Sequence, residues 1–315
     1  MTRLTTEHKQ AIASKIEEKK DALGTYSAVA TFCNVSESVI SQMKAGTYTT
    51  KGDAAWLDIA NKLGWKPEST MGKKEWVIVE TRDYKNIHKI VSDAKNQSMF
   101  MAISDIGGAG KSAPLKDIAE KNKANNIFYI ECLDWGKREF LESLCQLLGI
   151  DITRGYKTPN KLLELVIDFF QRRKLQQPLL IVDQANDLKD SAKRIFIPLY
   201  NRCEDTLGVV VSGTENLEDE IKKGIRFKKK GFDEIDSRFG RKYLTLLGNT
   251  KEDATKICQA NGVTDKSKID SFFEECNPIR KIVKIEGKEV LISVTKDLRR
   301  LKRLVRTEQL KALTV

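Results

Sequence analysis

Apolar residues recur along the chain with two different periods. Ile12 and Ile16 are spaced as on one face of a helix, and helical spacing continues to about Trp65. Further along, short continuous apolar runs alternate with helical stretches. The runs are Met99–Ser104, Ile127–Glu131, Leu179–Val182, Gly208–Ser212 and Tyr243–Leu247. This alternation predicts an α/β fold, with a parallel sheet flanked by helices.

The same pattern predicts four segments. Short helices occupy residues 1–66, and a linker rich in Gly, Pro and polar residues covers 67–75. The α/β core covers 76–248, and a small helical lid covers 249–315. Lid helices are predicted over Lys251–Asn261, Lys266–Glu275 and Thr295–Leu313, with a short strand pair around Ile279–Ile292.

The stretch from Tyr26 to Gly46 predicts two short helices joined by a tight turn. Ser36 is a suitable N-cap for the second helix, and Gly46 ends it. The pattern is typical of a helix-turn-helix, whose second helix lies in the DNA major groove. The polar residues that would then face DNA are Ser36, Ser38, Ser41, Gln42 and Lys44. A small bundle that uses the same packing for protein contacts is the alternative.

A strand, a glycine-rich turn and a helix start follow one another over residues 100–112. This order predicts a phosphate-binding P-loop, because backbone N–H groups and the helix N-terminus favour phosphate oxygens. Lys111 would reach the β- and γ-phosphates of ATP, and Ser112 would ligate Mg²⁺. The loop residues that would hold the phosphates are Gly107, Gly108, Ala109 and Gly110. Asp105 stands where a glycine is usual, and we expect it to stiffen the loop and add like charge.

Asp183 ends a buried apolar run, where a carboxylate can hold the hydration shell of Mg²⁺. The next residue is Gln184, at the position where ATPases of the AAA+ class usually carry a glutamate that polarises the attacking water. An amide does not take up a proton at neutral pH. The chain is therefore expected to bind ATP better than it cleaves it, whether Gln184 is native or replaces a glutamate.

Polar and basic residues after the fourth apolar run are candidates for contact with the nucleotide. Thr214 or Asn216 would sense the γ-phosphate or the attacking water. Arg238, and after it Arg241, would act as an arginine finger on the ATP of a neighbouring subunit. An arginine in a surface salt bridge is an equally good interpretation of either residue. Arg299 is a candidate second sensor from the lid.

This order of motifs resembles the AAA+ ATPases that assist transposases, the family of phage Mu transposition protein B. The resemblance implies ATP-dependent rings or helical filaments of many copies on double-stranded DNA, with little sequence preference. It also implies delivery of target DNA to a transposase. Asp105 and Gln184 depart from the family pattern.

Charge is consistent with a nucleic-acid partner. The chain has 55 Lys and Arg against 44 Asp and Glu, a formal net charge of +11. The alternative interpretation of this charge is a soluble protein whose surface is basic but does not bind nucleic acid. Predicted phosphate contacts are Lys137, Arg138, Arg154 and Lys157, with a dense basic loop from Lys222 to Gly231.

The cysteine pattern and the length of the apolar runs bear on the cellular location of the protein. Six scattered cysteines without C-x-x-C spacing argue against zinc or a disulfide framework. The sequence has no apolar run near the roughly 18 residues of a membrane span. We therefore expect a cytoplasmic protein of a bacterium or phage, with no membrane contact. A nucleotide-switched, sequence-specific DNA regulator and a helicase loader are the alternative functions.

Overall fold

The structure, a computed structural model, describes residues 4–48, 52–65, 76–122, 125–153, 155–285 and 288–313. The predicted linker 67–75 and the predicted phosphate contact Arg154 lie outside these ranges. None of the helices within them is both long and apolar enough to cross a bilayer.

The N-terminal region is helical. Its helices are α1 (Thr6–Leu23), α2 (Tyr26–Cys33), α3 (Glu37–Lys44) and α4 (Gly52–Lys62). Asn34, in the left-handed region at φ 52°, makes the turn between α2 and α3. Ser36 is at the N-cap position of α3, but its hydroxyl pairs with Ser38 and makes no cap hydrogen bond. The polar side chains named above on α3 are exposed, and Lys44 is bound to Glu17 and Tyr26.

The core is a five-stranded sheet in the order β2-β3-β4-β1-β5, parallel throughout. Its strands are β1 (Phe100–Ser104), β2 (Ile127–Glu131), β3 (Leu179–Asp183), β4 (Gly208–Gly213) and β5 (Tyr243–Leu244). Alternate residues of the strands fall in two separate apolar clusters, Leu180 and Val182 in one and Leu179 and Ile181 in the other. Both faces of the sheet are therefore buried, as the continuous apolar runs predict.

Helices cover the two faces of this sheet. They are α5 (Arg82–Asn96), α6 (Ser112–Lys121), α7 (Lys137–Leu147), α8 (Pro159–Gln171), α9 (Asp190–Lys193), α10 (Phe196–Cys203), α11 (Asn216–Arg226) and α12 (Phe232–Arg238). Short 3₁₀ turns lie at Lys174–Gln176 and Ala185–Asp187. The basic run from Lys222 is not wholly a loop, because its first five residues form the end of α11.

The C-terminal region combines helices with a small antiparallel sheet. Its elements are β6 (Asn249–Thr250), α13 (Lys251–Ala260), α14 (Lys266–Glu275), β7 (Ile279–Ile285), β8 (Lys288–Thr295) and α15 (Leu298–Leu313). The sheet order is β6-β8-β7. The prediction of a helical lid was therefore incomplete, since the strand pair is longer than expected and gains β6 as a third strand.

The N-terminal helices pack directly on the core. Gln146, near the end of α7, donates from Nε2 to the carbonyl oxygen of Phe32, at 3.4 Å. Gly149 approaches Ala28 so closely that an added Cβ would lie 2.8 Å from its carbonyl oxygen. Buried residues of both regions form one continuous apolar cluster. The N-terminal region is thus joined to α7 by packing as well as by the chain.

Candidate nucleotide site

A cavity of about 510 Å³ lies where the P-loop and the ends of β3 and β4 meet the C-terminal region. Its size is within the range typical of small-molecule and cofactor sites. The carboxyl ends of parallel strands open at one edge of a sheet, which brings the predicted motifs together. The predicted residues that line it are Gly107, Gly108, Ala109, Gly110, Lys111, Ser112, Asp183, Gln184, Thr214 and Arg299.

The P-loop depends on glycine at two positions. Gly108 and Gly110 have φ of 93° and 91°, a region that favours glycine. A Cβ at Gly110 would lie 2.6 Å from Cδ1 of Leu298, so the loop also fits closely under the C-terminal region. Lys111 is buried and donates from Nζ to the carbonyl oxygens of Asp105 and Ile106, at 2.7 and 2.8 Å. Burial lowers the pKa of Lys111, while the Asp105 and Asp183 carboxylates oppose that shift.

Asp105 does not leave an uncompensated negative charge in the loop, which corrects the expectation from sequence. Its carboxylate is 2% exposed and accepts two hydrogen bonds from Nζ of Lys296, at 2.7 and 2.8 Å. It also accepts from the backbone N–H groups of Ile106 and Leu246, both at 2.7 Å. Asp105 is therefore an ion-paired anchor between the P-loop and the C-terminal region.

The expected Mg²⁺ ligands line the same cavity. Asp183 is 1% exposed and accepts from the Tyr129 hydroxyl at 2.9 Å, whereas Ser112 is exposed. Burial, and then the Asp183 carboxylate, raises the pKa of Tyr129, so the phenol remains a donor. A hydroxyl and a carboxylate are oxygen ligands of the kind that Mg²⁺ prefers alongside nucleotide phosphates. The residues present fit the ion.

Gln184 and Thr214 lie on the side of the cavity formed by the strand ends. The Gln184 amide donates from Nε2 to Oε1 of Glu131 at 2.5 Å. The Thr214 hydroxyl is buried, and it has no hydrogen-bond partner among the described residues. A buried hydroxyl without a partner is costly unless a ligand or water completes it. That orphaned group is consistent with the predicted γ-phosphate sensor.

The other residues that were predicted to contact the nucleotide lie outside the cavity. Asn216 lies at the start of α11, exposed and outside the cavity lining. Arg238 donates to Asn201 and stacks over Tyr200, and Arg241 is ion-paired with Asp233 and Asp236. Neither arginine lines the cavity of its own chain. Their role toward a neighbouring copy stays a prediction.

Sequence reasoning missed an apolar part of the cavity. Its lining residues come from the segment before α5 and from the C-terminal helices, and they are Trp76, Val77, Ile78, Val79, Ile257, Leu301 and Lys302. The ammonium of Lys302 lies 5.0 Å from the centre of the Trp76 ring. Asn186 also lines the cavity and accepts from the N–H of Thr214, at 3.0 Å. No local motif marks these residues, because they meet only through tertiary packing.

The predicted phosphate contacts on α7 are near its N-terminus. Lys137 donates to Asn160, and Arg138 pairs with Glu142 at 2.8 Å and contacts the carbonyl oxygen of Lys157. Lys157 is half-buried. Lys137 and Arg138 are therefore each held by partners at the start of α7, with the backbone of Lys157 beside Arg138.

Replacing Lys296 tests the Asp105 anchor. We expect Lys296→Met to destabilise the protein by about 3 kcal/mol, because it leaves a buried carboxylate without its counter-ion. Lys288→Met, at an exposed position of β8, should change stability by less than about 0.5 kcal/mol. Urea unfolding measures the stability of both variants. An equal loss of stability in the two would contradict the role of Asp105 as an anchor. Adding Asp105→Asn to Lys296→Met should recover part of the loss.

Comparison with known proteins agrees with this geometry. Residues 95–221, from the end of α5 into α11, match the family model described as "AAA domain". The comparison with curated proteins found no match. Among solved structures, the chain is similar to Cdc6p from Pyrobaculum aerophilum, at 12% identity, covering 77% of this chain and 97% of that one. The TM-score of 0.37 is too low to establish a common fold. The family match over residues 95–221, the parallel sheet and the P-loop agree in indicating a nucleotide-binding domain of the AAA type in this part of the chain.

Proposed function

We propose that this chain is an ATP-dependent, double-stranded-DNA-binding AAA+ protein. In this proposal it assembles as a homo-oligomer on DNA with little sequence preference and delivers target DNA to a transposase. The order of motifs described above supports a transposase as the partner and a homo-oligomer as the assembly state. ATP and Mg²⁺ are its cofactors.

The observation that carries the DNA part of the proposal is the position of α7. At one end, the backbone N–H of Lys137 donates to Ser191 Oγ, at 3.2 Å, in the segment that follows Asp183 and Gln184. At the other end, Gln146 and Gly149 contact α2. One helix thus contacts α9, which follows the strand end at Asp183, carries the candidate cations at its N-terminus, and packs on the N-terminal module. We infer that α7 transmits a shift at the strand ends on ATP binding to both candidate DNA surfaces.

A nucleotide-switched, sequence-specific regulator is the second candidate. The exposed polar side chains of α3, including Ser38 and Gln42, favour it, since amide and hydroxyl groups can read base edges. The two candidates differ in one measurable property. A regulator prefers one duplex sequence, whereas phosphate contacts alone bind unrelated duplexes equally.

DNA binding with ATP, with ADP and without nucleotide tests the proposal. We expect tight binding to two unrelated duplexes with Mg²⁺–ATP only. Lys111→Ala should weaken ATP binding roughly 10- to 100-fold, because a charge-assisted hydrogen bond contributes about 1.5–3 kcal/mol. Because the variant binds ATP more weakly, it should also lose the stimulation of DNA binding by ATP. Fluorescence anisotropy measures both steps. DNA binding that ignores nucleotide would overturn the proposal, and binding to one duplex alone would favour the regulator.

Charge reversal at the N-terminus of α7 tests whether this part of the protein contacts DNA. The double variant Lys137→Glu, Arg138→Glu should weaken binding to every duplex and lower the salt slope of log K by about 2, one per lost phosphate contact. The double variant Lys256→Glu, Lys266→Glu, exposed on α13 and α14, is the control for the same change in net charge. If the control lowers affinity and slope as much as the α7 variant, the effect belongs to overall charge and α7 is not the contact surface.

A further inference from the structure

Tyr156 is 80% exposed, more than any other aromatic side chain among the residues that the structure describes. It lies in the loop between α7 and α8, directly after Gly155. A Cβ added to Gly155 would meet no atom within 4 Å, so the loop stands away from the rest of the protein at this point. A single exposed ring is ordinary on a protein surface. The groups around the ring therefore decide what it can bind.

Arg138 covers one face of this ring. Its guanidinium lies 4.8 Å from the ring centre. The same guanidinium donates to the carbonyl oxygen of Lys157 at 3.2 Å and pairs with Glu142 at 2.8 Å. These two contacts fix the arginine between α7 and the loop. Tyr156 is thus kept at the start of α7, beside the candidate phosphate contacts, with a cation over one face and solvent around the rest.

The same kind of contact elsewhere in the chain serves packing. Arg238 lies over the ring of Tyr200, at 5.2 Å from its centre. That ring is half-buried and packs edge-on against Phe100, with ring centres 5.0 Å apart. Tyr156, by contrast, lies outside the apolar clusters that the described residues form. Its ring therefore has an open side that packing does not use.

A nucleobase that has left the helical stack is a ligand that suits this arrangement. Its flat face can stack on the open side of an aromatic ring, and its phosphate can meet the nearby cations. Stacking is indifferent to sequence, because every base has a π-face. An arginine over the ring adds a cation–π contribution. In a fully paired duplex the neighbouring bases cover both faces of each base, so the ring needs a base that is unpaired or unstacked.

We propose that Tyr156 stacks on a base that has left the DNA helix. The loop then favours DNA with locally unpaired or unstacked bases over a fully paired duplex. This inference rests on the proposed function, because it requires DNA at the start of α7. A single strand and a distorted duplex both present the same chemistry, an open base face beside a phosphate. The loop thus adds a preference for DNA structure to a surface that has little preference for sequence.

Binding to three DNAs of one length tests the proposal: a paired duplex, the same duplex with a short mismatched bubble, and a single strand. Tyr156→Ala should weaken binding to the bubble roughly 5- to 100-fold more than binding to the paired duplex, the scale of one base stack. Tyr156→Phe keeps the ring and should keep the preference for the bubble. Tyr156→Leu keeps apolar bulk without a ring and should lose that preference. Fluorescence anisotropy with Mg²⁺–ATP measures these affinities.

Two further readouts separate stacking from charge and locate the base. The salt slope of log K should be the same in all variants, since tyrosine neutralises no phosphate. With 5-iodouracil in the bubble, photocross-linking and mass spectrometry should identify a peptide that contains Tyr156. Tighter binding to the bubble than to the single strand places the base in a distorted duplex. Binding to the single strand that is as tight or tighter places it in a free strand, and both results support stacking.

A Tyr156→Ala variant that keeps the wild-type preference for the bubble would overturn the proposal. So would a Tyr156→Phe variant as weak as Tyr156→Ala, because the hydroxyl would then be the contact. An equal loss on the bubble and on the paired duplex would overturn it too. If the wild type binds DNA with ATP but shows no preference for the bubble, the stacking is refuted and the proposed function stands. Absence of ATP-dependent binding to any DNA refutes the proposed function instead.

Discussion

The Asp105 carboxylate joins three segments that are far apart in sequence. It accepts from Ile106 within the P-loop, from Leu246 after β5 and from Lys296 before α15. The two backbone N–H groups fix the loop on the sheet, and the lysine ties it to the C-terminal region. Such a buried carboxylate needs all of these donors, because an unpaired charge in the interior is strongly unfavourable. The shape of the nucleotide site therefore depends on this one side chain.

The same anchor explains how the C-terminal region covers the cavity. With Lys296 held at Asp105, the N–H of Leu298 donates to the carbonyl oxygen of Gly108 at 3.1 Å. Arg299 and Leu301 line the cavity together with Trp76. Residues near the start of α15 thus contribute both to the part of the cavity beside the P-loop and to its apolar part.

The sequence predicted the core well where local chemistry decides structure. Continuous apolar runs located every strand of the parallel sheet, and the glycine pattern located the P-loop, because both signals are contained within a few adjacent residues. Asp105 shows the limit. Its residue type predicted an added like charge, whereas Lys296, which is 191 positions away, neutralises it. The residues that neighbour Asp105 in the sequence give no indication of such a distant partner.

Three other features could not be predicted, because each depends on segments that are distant in sequence. The apolar wall at Trp76 and Ile257 combines segments that no motif links. Glu131 looked like an ordinary strand end, and its bond to Gln184 follows from the register of β2 on β3. The C-terminal sheet was underestimated because β6 is only two residues long and gains its place by pairing with β8. Position in the fold, rather than residue type, decides which of these residues meet.

Hydrogen–deuterium exchange with and without Mg²⁺ and a non-hydrolysable ATP analogue tests most directly whether the nucleotide lies between the P-loop and the C-terminal region. The account predicts slower exchange at the P-loop, residues 107–112, together with residues 76–81 and 295–302. These three segments line one cavity, and Lys296 joins the last of them to the loop. Slower exchange at 107–112 alone, with the other two segments unchanged, would contradict it.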